Sequence, residues 1–372
     1  MASRAQEPTP IYDNVDIDLF VKVLNHTLFS PFFIFFVPLF YIFQGAKVTD
    51  PGIIGLSVYW ILISSFWFIR WYSRLYRNQG SLLIGPPRFD WGDQIIIVTG
   101  GSSGVGELLA NTLAVRNVTV IVLDVKPIVT ENYNITYYKC DVSNWEEVQA
   151  VAATIKKEIG DPTVIINNAG VVQGKLILDL SPQDINQTFG VNTLAHFWLL
   201  KAFLPAMLEK KEGHIVTVSS VMGVVGAAQM TDYCASKAAA IAMTDSLRRE
   251  LDHRYNTPKI RTTVLCPGHI LTPMFQNVEF PTHPLWKFLS PSLHPVTVVK
   301  SIIAALDEQH SRTIFLPLYT SAAPYVNLLP SFLRDLLQWF SNADYAMKNF
   351  AKVSGRRASE GPAPAVSLGK KD

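Results

Sequence analysis

The sequence predicts an α/β fold with a parallel sheet of about seven strands, preceded by an apolar membrane anchor. Three observations predict it. Two stretches near the amino terminus carry no charged side chain, short β-rich runs alternate with longer helical stretches from residue 94 onward, and a glycine-rich turn follows the first of those runs. Such strand–helix alternation is typical of a parallel sheet covered by helices on both faces.

The composition narrows the class of protein. Of the 372 residues, 49% are hydrophobic and 17% are charged, whereas an ordinary soluble domain is about 25% charged. The 11% of aromatic residues excludes disorder as the main state. The net charge of +2 provides no general field for nucleic acid, and three cysteines are too few for a disulfide framework. We therefore expect a protein of a reducing compartment that binds no nucleic acid.

The apolar excess is concentrated before residue 78. Val23–Phe43 and Gly52–Ile69 are stretches of 21 and 18 residues without Asp, Glu, Lys or Arg. About 20 apolar residues cross roughly 30 Å of hydrocarbon, and Pro31 and Pro38 would kink the first stretch. Three arrangements fit: two spans, a proline-kinked hairpin held in one leaflet, or one span with an interfacial piece. The alternative is a pair of buried core helices.

Basic residues predict the orientation of the anchor. Arg70, Arg74, Arg77 and Arg88 follow the second stretch, whereas Lys47 alone lies between the two. An excess of basic residues marks the cytosolic side, so we expect the large carboxyl-terminal part to lie in the cytosol. The expected domains are a polar segment 1–22, the anchor 23–77, a linker 78–93, a catalytic domain 94–317, an apolar extension 318–353 and a disordered tail 354–372.

The elements of the domain follow from β-rich runs and the helical stretches between them. We expect strands at Ile95–Thr99, Val118–Leu123, Thr136–Lys139, Thr163–Asn167, His214–Ser219, Arg261–Cys266 and Thr313–Leu316. The main helices are expected at Trp145–Ile159, Ile185–Leu208, Tyr233–His253 and Val296–Glu308.

The turn after the first strand predicts a dinucleotide site. Residues 99–106 read TGGSSGVG and open a helix. Glycine lets the backbone approach a pyrophosphate, and the helix start supplies free N–H groups, as in a Rossmann-type doubly wound sheet. Asp124 ends the second strand, 20 residues after Gly104. Its carboxylate would accept hydrogen bonds from the ribose hydroxyls and repel a 2′-phosphate, so NAD is favoured, although Lys126 leaves NADP open.

A second set of residues predicts proton transfer. Tyr233 and Lys237 are four residues apart and would share one helix face. The ammonium and the positive ring of an oxidised nicotinamide would lower the pKa of the phenol, so that Tyr233 exchanges a proton with an alcohol or a carbonyl. Ser220 lies 13 residues upstream at a strand end, and Asn192 lies 28 residues before Ser220. Ser219 is the alternative to Ser220, which the spacing to Tyr233 favours.

In order and spacing, these motifs resemble the short-chain dehydrogenase/reductase family over about residues 94–317. The resemblance implies that Ser220 orients and polarises the substrate oxygen and that Tyr233 is the general acid/base. It implies that Lys237 tunes Tyr233 and holds the nicotinamide ribose, and that Asn192 supports a water-linked proton relay. No metal is expected, because the histidines and cysteines lack the spacing of metal ligands.

The resemblance also implies the residues that contact the cofactor. Asp141 would contact the adenine and Thr272 the carboxamide, and Asn168 would line the cofactor. The full expected set is Gly100, Ser102, Ser103, Gly104, Val105, Gly106, Asp124, Asp141, Val142, Asn168, Ala169, Gly170, Tyr233, Lys237, Pro267, Gly268 and Thr272.

A narrower resemblance concerns the substrate. The hydrophobic amino terminus, GHIVTVSS at 213–220, YCASK at 233–237 and IFLP at 314–317 resemble the membrane-bound retinol and 17-beta-hydroxysteroid dehydrogenases. The resemblance implies a lipophilic alcohol or ketone as substrate, a location at the endoplasmic reticulum or on lipid droplets, and a homodimer. The alternatives are an NADPH-linked reductase of lipid ketones and a non-catalytic membrane or lipid-droplet binding protein on the same fold.

Two apolar segments, 269–295 and 315–340, are expected to surround the substrate. In the second, six large side chains recur at helical spacing: Leu329, Phe332, Leu333, Leu336, Leu337 and Phe340. Either they pack into the core, or they form a helix that dips into the membrane surface and gives a lipid-soluble substrate a route to the pocket.

Overall fold

The computed structural model describes residues 15–80, 89–130, 132–275, 278, 281, 283–348 and 350. Within them, seven strands form one parallel sheet in the order β3-β2-β1-β4-β5-β6-β7. The strands are β1 Ile95–Thr99, β2 Thr119–Asp124, β3 Ile135–Lys139, β4 Val164–Asn167, β5 Gly213–Val218, β6 Ile260–Pro267 and β7 Arg312–Leu316. The predicted Rossmann-type sheet is confirmed. The expected tail 354–372 and linker residues 81–88 lie outside the described part of the chain.

Twelve helices are seen in the described residues. They are α1 Ile17–His26, α2 Pro31–Phe43, α3 Pro51–Arg77, α4 Gly104–Ala114, α5 Trp145–Glu158, α6 Pro182–Phe189, α7 Ala195–Lys210, α8 Thr231–His253, α9 Pro284–Leu289, α10 Pro295–Glu308, α11 Ala323–Val326 and α12 Ser331–Ser341. Proline occupies the first helical position of α2, α3, α6, α9 and α10, where its missing N–H costs nothing.

The helices cover both faces of the sheet. Helices α4 and α10 pack with one face, and α5, α7 and α8 pack with the other. The central strands are therefore buried on both sides, which explains why their sequences are nearly continuous Ile and Val rather than alternating. The strand order reverses between β1 and β4, so a crevice forms at the carboxyl ends of these two strands.

One predicted helix is divided in two. The stretch expected as a single helix at Ile185–Leu208 forms α6 and α7, joined by a π-helical turn at Gly190–Leu194. Gly190 is buried, and a Cβ there would lie 2.9 Å from the Cβ of Ser143. The wider turn inserts a residue into the helix and points Asn192 inward, and such turns are frequent at functional sites.

The first apolar stretch is broken before Pro31 rather than at Pro38, which lies inside α2. Helices α1 and α2 meet at an angle of 50°. Side chains of α3 bond the carbonyls at this break: Tyr59 Oη donates to Leu28 O at 2.9 Å, Trp60 Nε1 to Pro31 O at 3.0 Å and Trp67 Nε1 to Phe29 O at 2.7 Å. An unpaired carbonyl is costly in apolar surroundings, so these aromatic donors stabilise the bend.

The anchor helices are not core helices. In α2 only Ile34 and Pro38 are buried, and in α3 only Ile53 is. By length and composition, α3 is able to cross a membrane, and so are α1 and α2 if the bent pair forms one span. The stretch 182–210 is also long and apolar enough, but half of its most apolar window is buried in the domain. The alternative of two buried core helices is therefore wrong.

Both ends of the anchor are attached to the domain. After α3, the buried Asn78 accepts a hydrogen bond at Oδ1 from the Ser311 amide at 2.6 Å, and its carbonyl accepts one from Arg261 Nη1 at 3.0 Å. At the other end, Asp18 of α1 accepts a hydrogen bond from the Leu318 amide at 2.9 Å. Ser311 directly precedes β7, and Leu318 lies two residues after it.

We expect Asn78→Ala to destabilise the protein by about 2 kcal/mol, because the buried Ser311 amide would lose its acceptor. The thermal midpoint in detergent should fall by roughly 4–8 °C. Arg77→Ala is the matched control, since its contact with Asp245 spans 3.9 Å between exposed side chains and such pairs contribute at most about 1 kcal/mol. Equal midpoints for the two variants would contradict the attachment at Asn78.

Candidate active site

One cavity of about 1120 Å³ opens at the carboxyl edge of the sheet. The glycine-rich turn and the ends of β2 and β4 line one half. The ends of β5 and β6, α8 and the carboxyl-terminal segment line the other. The crevice that the strand order creates therefore continues into a second, more apolar compartment.

The glycine-rich turn fits a bound pyrophosphate. Gly100 has φ +66°, and a Cβ there would lie 2.9 Å from the Cα of Ala169. Gly104 has φ +60° and faces open space, with Thr272 nearest at 3.8 Å from a Cβ position. A Cβ on Gly106 would overlap the carbonyl oxygen of Gly100. The turn thus packs tightly against the sheet and leaves the start of α4 accessible to an anion.

Asp124 is fixed at the end of β2. Its Oδ2 accepts a hydrogen bond from the Ser102 amide at 3.0 Å, and its Oδ1 accepts one from the Lys126 amide at 3.0 Å. The Ser102 hydroxyl donates to the Lys126 carbonyl at 2.6 Å. These bonds tie the loop after β2 to the glycine-rich turn and hold the carboxylate at the cavity wall.

Most of the expected cofactor residues line the cavity. They are Gly100, Ser103, Gly104, Val105, Asp124, Asp141, Val142, Asn168, Ala169, Gly170, Tyr233, Lys237, Pro267, Gly268 and Thr272. Ser102 and Gly106 support the turn from behind instead. The amide of Asn168 also has a structural task, because Nδ2 donates to the carbonyl of Thr99 at 3.0 Å. Asp141 Oδ1 accepts hydrogen bonds from the amide and hydroxyl of Ser143 at 3.0 and 2.7 Å.

Tyr233, Lys237 and Ser220 meet where β5 ends against α8. The Lys237 ammonium lies 5.7 Å from the centre of the Tyr233 ring and donates to the Val218 carbonyl at 2.9 Å. The Ser220 hydroxyl lies close enough to the Tyr233 phenol to act on its pKa. Ser219 instead donates to the carbonyl of Lys237 at 2.9 Å. The geometry therefore favours Ser220 over Ser219 as the partner of Tyr233.

Asn192 approaches the same group from the π-helical turn. Its Oδ1 accepts from the Val171 amide at 2.8 Å, and its Nδ2 donates to the Val171 carbonyl and to Ser236 Oγ, both at 3.0 Å. A Cβ on Gly170 would lie 3.5 Å from both Asn192 Oδ1 and Lys237 Nζ. The two side chains therefore both lie against Gly170, and the relay that the resemblance implies stays a prediction.

Burial dominates the electrostatics of the site. Tyr233 is 5% exposed, and burial raises the pKa of its phenol to about 12 although the Ser220 hydrogen bond acts to lower it. Lys237 is 3% exposed, and burial lowers the pKa of its ammonium to about 8. Without the nicotinamide, the cost of removing the phenolate from water exceeds the stabilisation that the Ser220 hydrogen bond provides. The expected lowering of the phenol pKa includes the charge of the oxidised cofactor and stays a prediction.

The apolar half of the cavity is built from segments distant in sequence. Met222, Met274 and Phe275 line it together with Leu337 and Phe340 of α12. Trp286 of α9 packs edge-on against Phe340 with 5.5 Å between ring centres. The site thus draws on both apolar segments that the sequence singled out.

Helix α12 has two apolar faces. Leu337 and Phe340 face the cavity, whereas Phe332 and Trp339 are 69% and 77% exposed. No residue of α12 is buried. The prediction that this segment packs into the core is therefore wrong, and the exposed face agrees with the alternative of a surface helix.

Sequence reasoning missed several residues of the pocket. Met347 and Phe350 pack with Met230 and Tyr233 in one cluster, and Tyr319 lies beside Gly268. Tyr319 follows a strand end and could have been found by the rule that located the other site residues. The residues at 347 and 350 follow no periodic pattern that would predict the contact.

Among the described residues, no three His, Cys, Asp or Glu side chains are grouped as a metal would require.

Comparison with known proteins agrees with this geometry. The sequence matches the short chain dehydrogenase family over residues 94–281. It is 38% identical over 248 residues to short-chain dehydrogenase/reductase family 16C member 6 of Bos taurus, and the aligned region covers 64% of this chain and 77% of the relative. It is also 38% identical over 240 residues to epidermal retinol dehydrogenase 2 of Mus musculus, covering 61% of this chain and 75% of the relative.

The fold is similar to solved structures of short-chain dehydrogenases. A short chain dehydrogenase from Burkholderia cenocepacia J2315 in complex with NADP superposes with a TM-score of 0.55 at 26% identity, covering 66% of this chain and 96% of that one. The family match over half of the chain and the relatives of similar length show that this chain belongs to the short-chain dehydrogenase/reductase family and is an NAD(P)-dependent oxidoreductase.

Proposed function

We propose that the chain is a membrane-anchored oxidoreductase that transfers a hydride between NAD(H) and a lipophilic alcohol or its carbonyl. The supporting observation is one continuous cavity, in which Tyr233, Ser220 and Lys237 line the wall together with the glycine-rich turn on one side and apolar side chains on the other. A retinoid, a steroid or a long-chain alcohol fits the chemistry of the apolar half. The name of the mouse relative, a retinol dehydrogenase, points to the same substrate class.

The proposed mechanism divides the chemistry between cofactor and side chains. When bound, the nicotinamide supplies or accepts the hydride. Tyr233, protonated at neutral pH because its pKa is about 12, donates its proton to the carbonyl oxygen during reduction, and Ser220 holds that oxygen by a hydrogen bond. For oxidation Tyr233 would first lose its proton, and the phenolate, stabilised by Lys237 and Ser220, would then accept the proton of the alcohol. We assign the replacement of this proton to Lys237 and Asn192, whose side chains both lie beside Gly170.

The proposed preference for NAD rests on Asp124. The carboxylate is held at the cavity wall by two backbone amides, and a 2′-phosphate placed there would meet its negative charge. No arginine or lysine side chain lies in the glycine-rich turn to compensate it. A ribose with both hydroxyls free is the better ligand.

The proposed anchor is a hairpin with both ends on the side of the catalytic domain. Asp18 and Asn78 attach its two ends to the domain, which favours two spans or a hairpin in one leaflet over a single span. Arg70, Arg74 and Arg77 end the apolar part of α3 on that same side, as expected at a cytosolic membrane surface. A location on the endoplasmic reticulum or on lipid droplets suits this arrangement.

Tyr233→Phe removes the phenol that moves the proton and leaves the ring in place. We expect turnover of a lipophilic alcohol to fall by about 10²- to 10⁴-fold. The measurement is NADH fluorescence with detergent-solubilised protein, screened against retinoids, steroids and long-chain alcohols with both cofactors. NADH binding should be retained, which controls for folding. Unchanged turnover in the variant would overturn the mechanism, and turnover of ketones with NADPH alone would favour the reductase alternative.

Asp124→Asn keeps an oxygen acceptor and removes the charge. We expect the ratio of kcat/KM for NADP to that for NAD to rise about tenfold, which corresponds to about 1.4 kcal/mol. Asp141→Asn is the matched control: Asp141 would contact the adenine, which the two cofactors share, so both should be affected alike and the ratio should stay constant. A ratio that moves equally in both variants would show that Asp124 does not set the preference.

Single cysteines test the proposed hairpin. On membrane vesicles with the cytosolic face outward, Val15→Cys and Val129→Cys should react with a membrane-impermeant maleimide beyond the level of the parent chain. Lys47→Cys, in the turn between α2 and α3, should react only after detergent is added. Protection of Val15→Cys would indicate a single span, and free reaction of Lys47→Cys would show that the hairpin is not inserted.

A further inference from the structure

The turn that follows β7 forms one wall of the cavity. Residues Leu318–Ala322 make a short 3-10 turn, and Tyr319 and Ala322 line the cavity. The hydroxyl of Tyr319 lies near the backbone of His269 and the side chain of Ser290, which both act to lower its pKa against the effect of burial. A Cβ on Gly268 would lie 2.5 Å from that hydroxyl. The position of the turn therefore decides where the segment after β6 lies.

The first amide of this turn is capped by a residue outside the catalytic domain. The amides at the start of a helical turn have no acceptor within the turn and need one from elsewhere. The Leu318 amide donates to Asp18 Oδ1 at 2.9 Å across 300 residues of sequence. A side-chain oxygen in this role contributes about 1 kcal/mol in the usual N-cap.

Neighbouring acids of α1 have separate tasks. Asp16 caps α1 itself, since its Oδ1 accepts from the Leu19 amide at 2.8 Å. Asp18 lies within the first turn of α1 and does not cap the helix, because Asp16 already does so. The other large side chains nearby, Leu19, Phe20 and Val23, are exposed and apolar. Helix α1 therefore presents an apolar surface to its surroundings and one carboxylate to the pocket wall.

We propose that Asp18 is a positioning residue through which the anchor holds the substrate pocket in its binding shape. The proposal rests on the proposed function, because it assigns α1 to the lipid surface and the pocket to a lipophilic substrate. Helix α1 leads directly into the anchor, so its place relative to the membrane fixes Asp18. Asp18 in turn fixes Leu318 and, through Tyr319, the segment 268–269. Asp18 touches no reacting atom, so it acts on substrate binding rather than on the chemical step.

Substitutions at Asp18 separate the hydrogen bond from the charge. Asp18→Ala removes the acceptor, Asp18→Asn keeps an oxygen without the charge, and Asp16→Asn removes a neighbouring charge while retaining a good helix cap. In full-length protein in detergent or vesicles, we expect Asp18→Ala to raise KM for the lipophilic alcohol about three- to tenfold. The value of kcat should stay within about twofold, and Asp18→Asn and Asp16→Asn should resemble the parent.

A second measurement does not depend on substrate. Hydrogen–deuterium exchange of a peptide containing residues 318–322 should be faster in Asp18→Ala than in the parent, and close to the parent in Asp18→Asn and Asp16→Asn. Retained NADH binding shows that the variant is folded. If Asp18→Ala fails to bind NADH, Asp18→Ser provides the same comparison with a weaker acceptor.

The outcomes distinguish this inference from the proposed function. Parent-like exchange in residues 318–322 of Asp18→Ala, or a fall in kcat at constant KM, would overturn the role of Asp18. If the parent turns over no lipophilic alcohol or ketone, the proposed function fails, and the exchange measurement alone then decides whether Asp18 holds the turn.

Discussion

The contact between α8 and the end of β5 is the interaction on which the site depends. The Lys237 ammonium donates to the Val218 carbonyl, and the Ser219 hydroxyl donates back to the Lys237 carbonyl, each at 2.9 Å. A Cβ on Gly223 would lie 2.9 Å from the Lys237 backbone, so only glycine allows this approach. These contacts fix the register of the helix on the strand and thereby place Tyr233 next to Ser220.

The same contact sets the electrostatics. A close helix–strand packing excludes water from both titratable groups, which raises the pKa of Tyr233 to about 12 and lowers that of Lys237 to about 8. The protein alone therefore stabilises the protonated phenol, the form that donates a proton to a carbonyl. Stabilising the phenolate requires positive charge brought in with the oxidised cofactor, so in the proposed mechanism cofactor binding and activation of Tyr233 are coupled.

The sequence predicted the features that depend on the residue types and spacing within a short segment, namely the strands and the residues at their ends. Runs rich in β-branched and aromatic residues located all seven strands, and the positions of Gly100, Asp124 and Tyr233 at strand ends or on one helix face followed from spacing alone. The sign of the Tyr233 pKa shift depends on how completely water is excluded, which no spacing encodes. The π-helical turn before α7 and the contact of Asp18 with Leu318 arise from packing between residues far apart in sequence, so periodicity could not reveal them.

The two attachments of the anchor also orient the domain. Strand β7 is one of the two edge strands of the sheet, and the anchor bonds to Ser311 just before it and to Leu318 just after it. Five residues of strand span about 17 Å, so the two attachments are separated by about the length of this edge strand. Under the proposed function, the β7 edge therefore faces the lipid. Tyr319 and Ala322, which line the cavity, follow β7 within a few residues. Under the same proposal the cavity therefore lies close to the lipid, in which a lipophilic substrate is most concentrated.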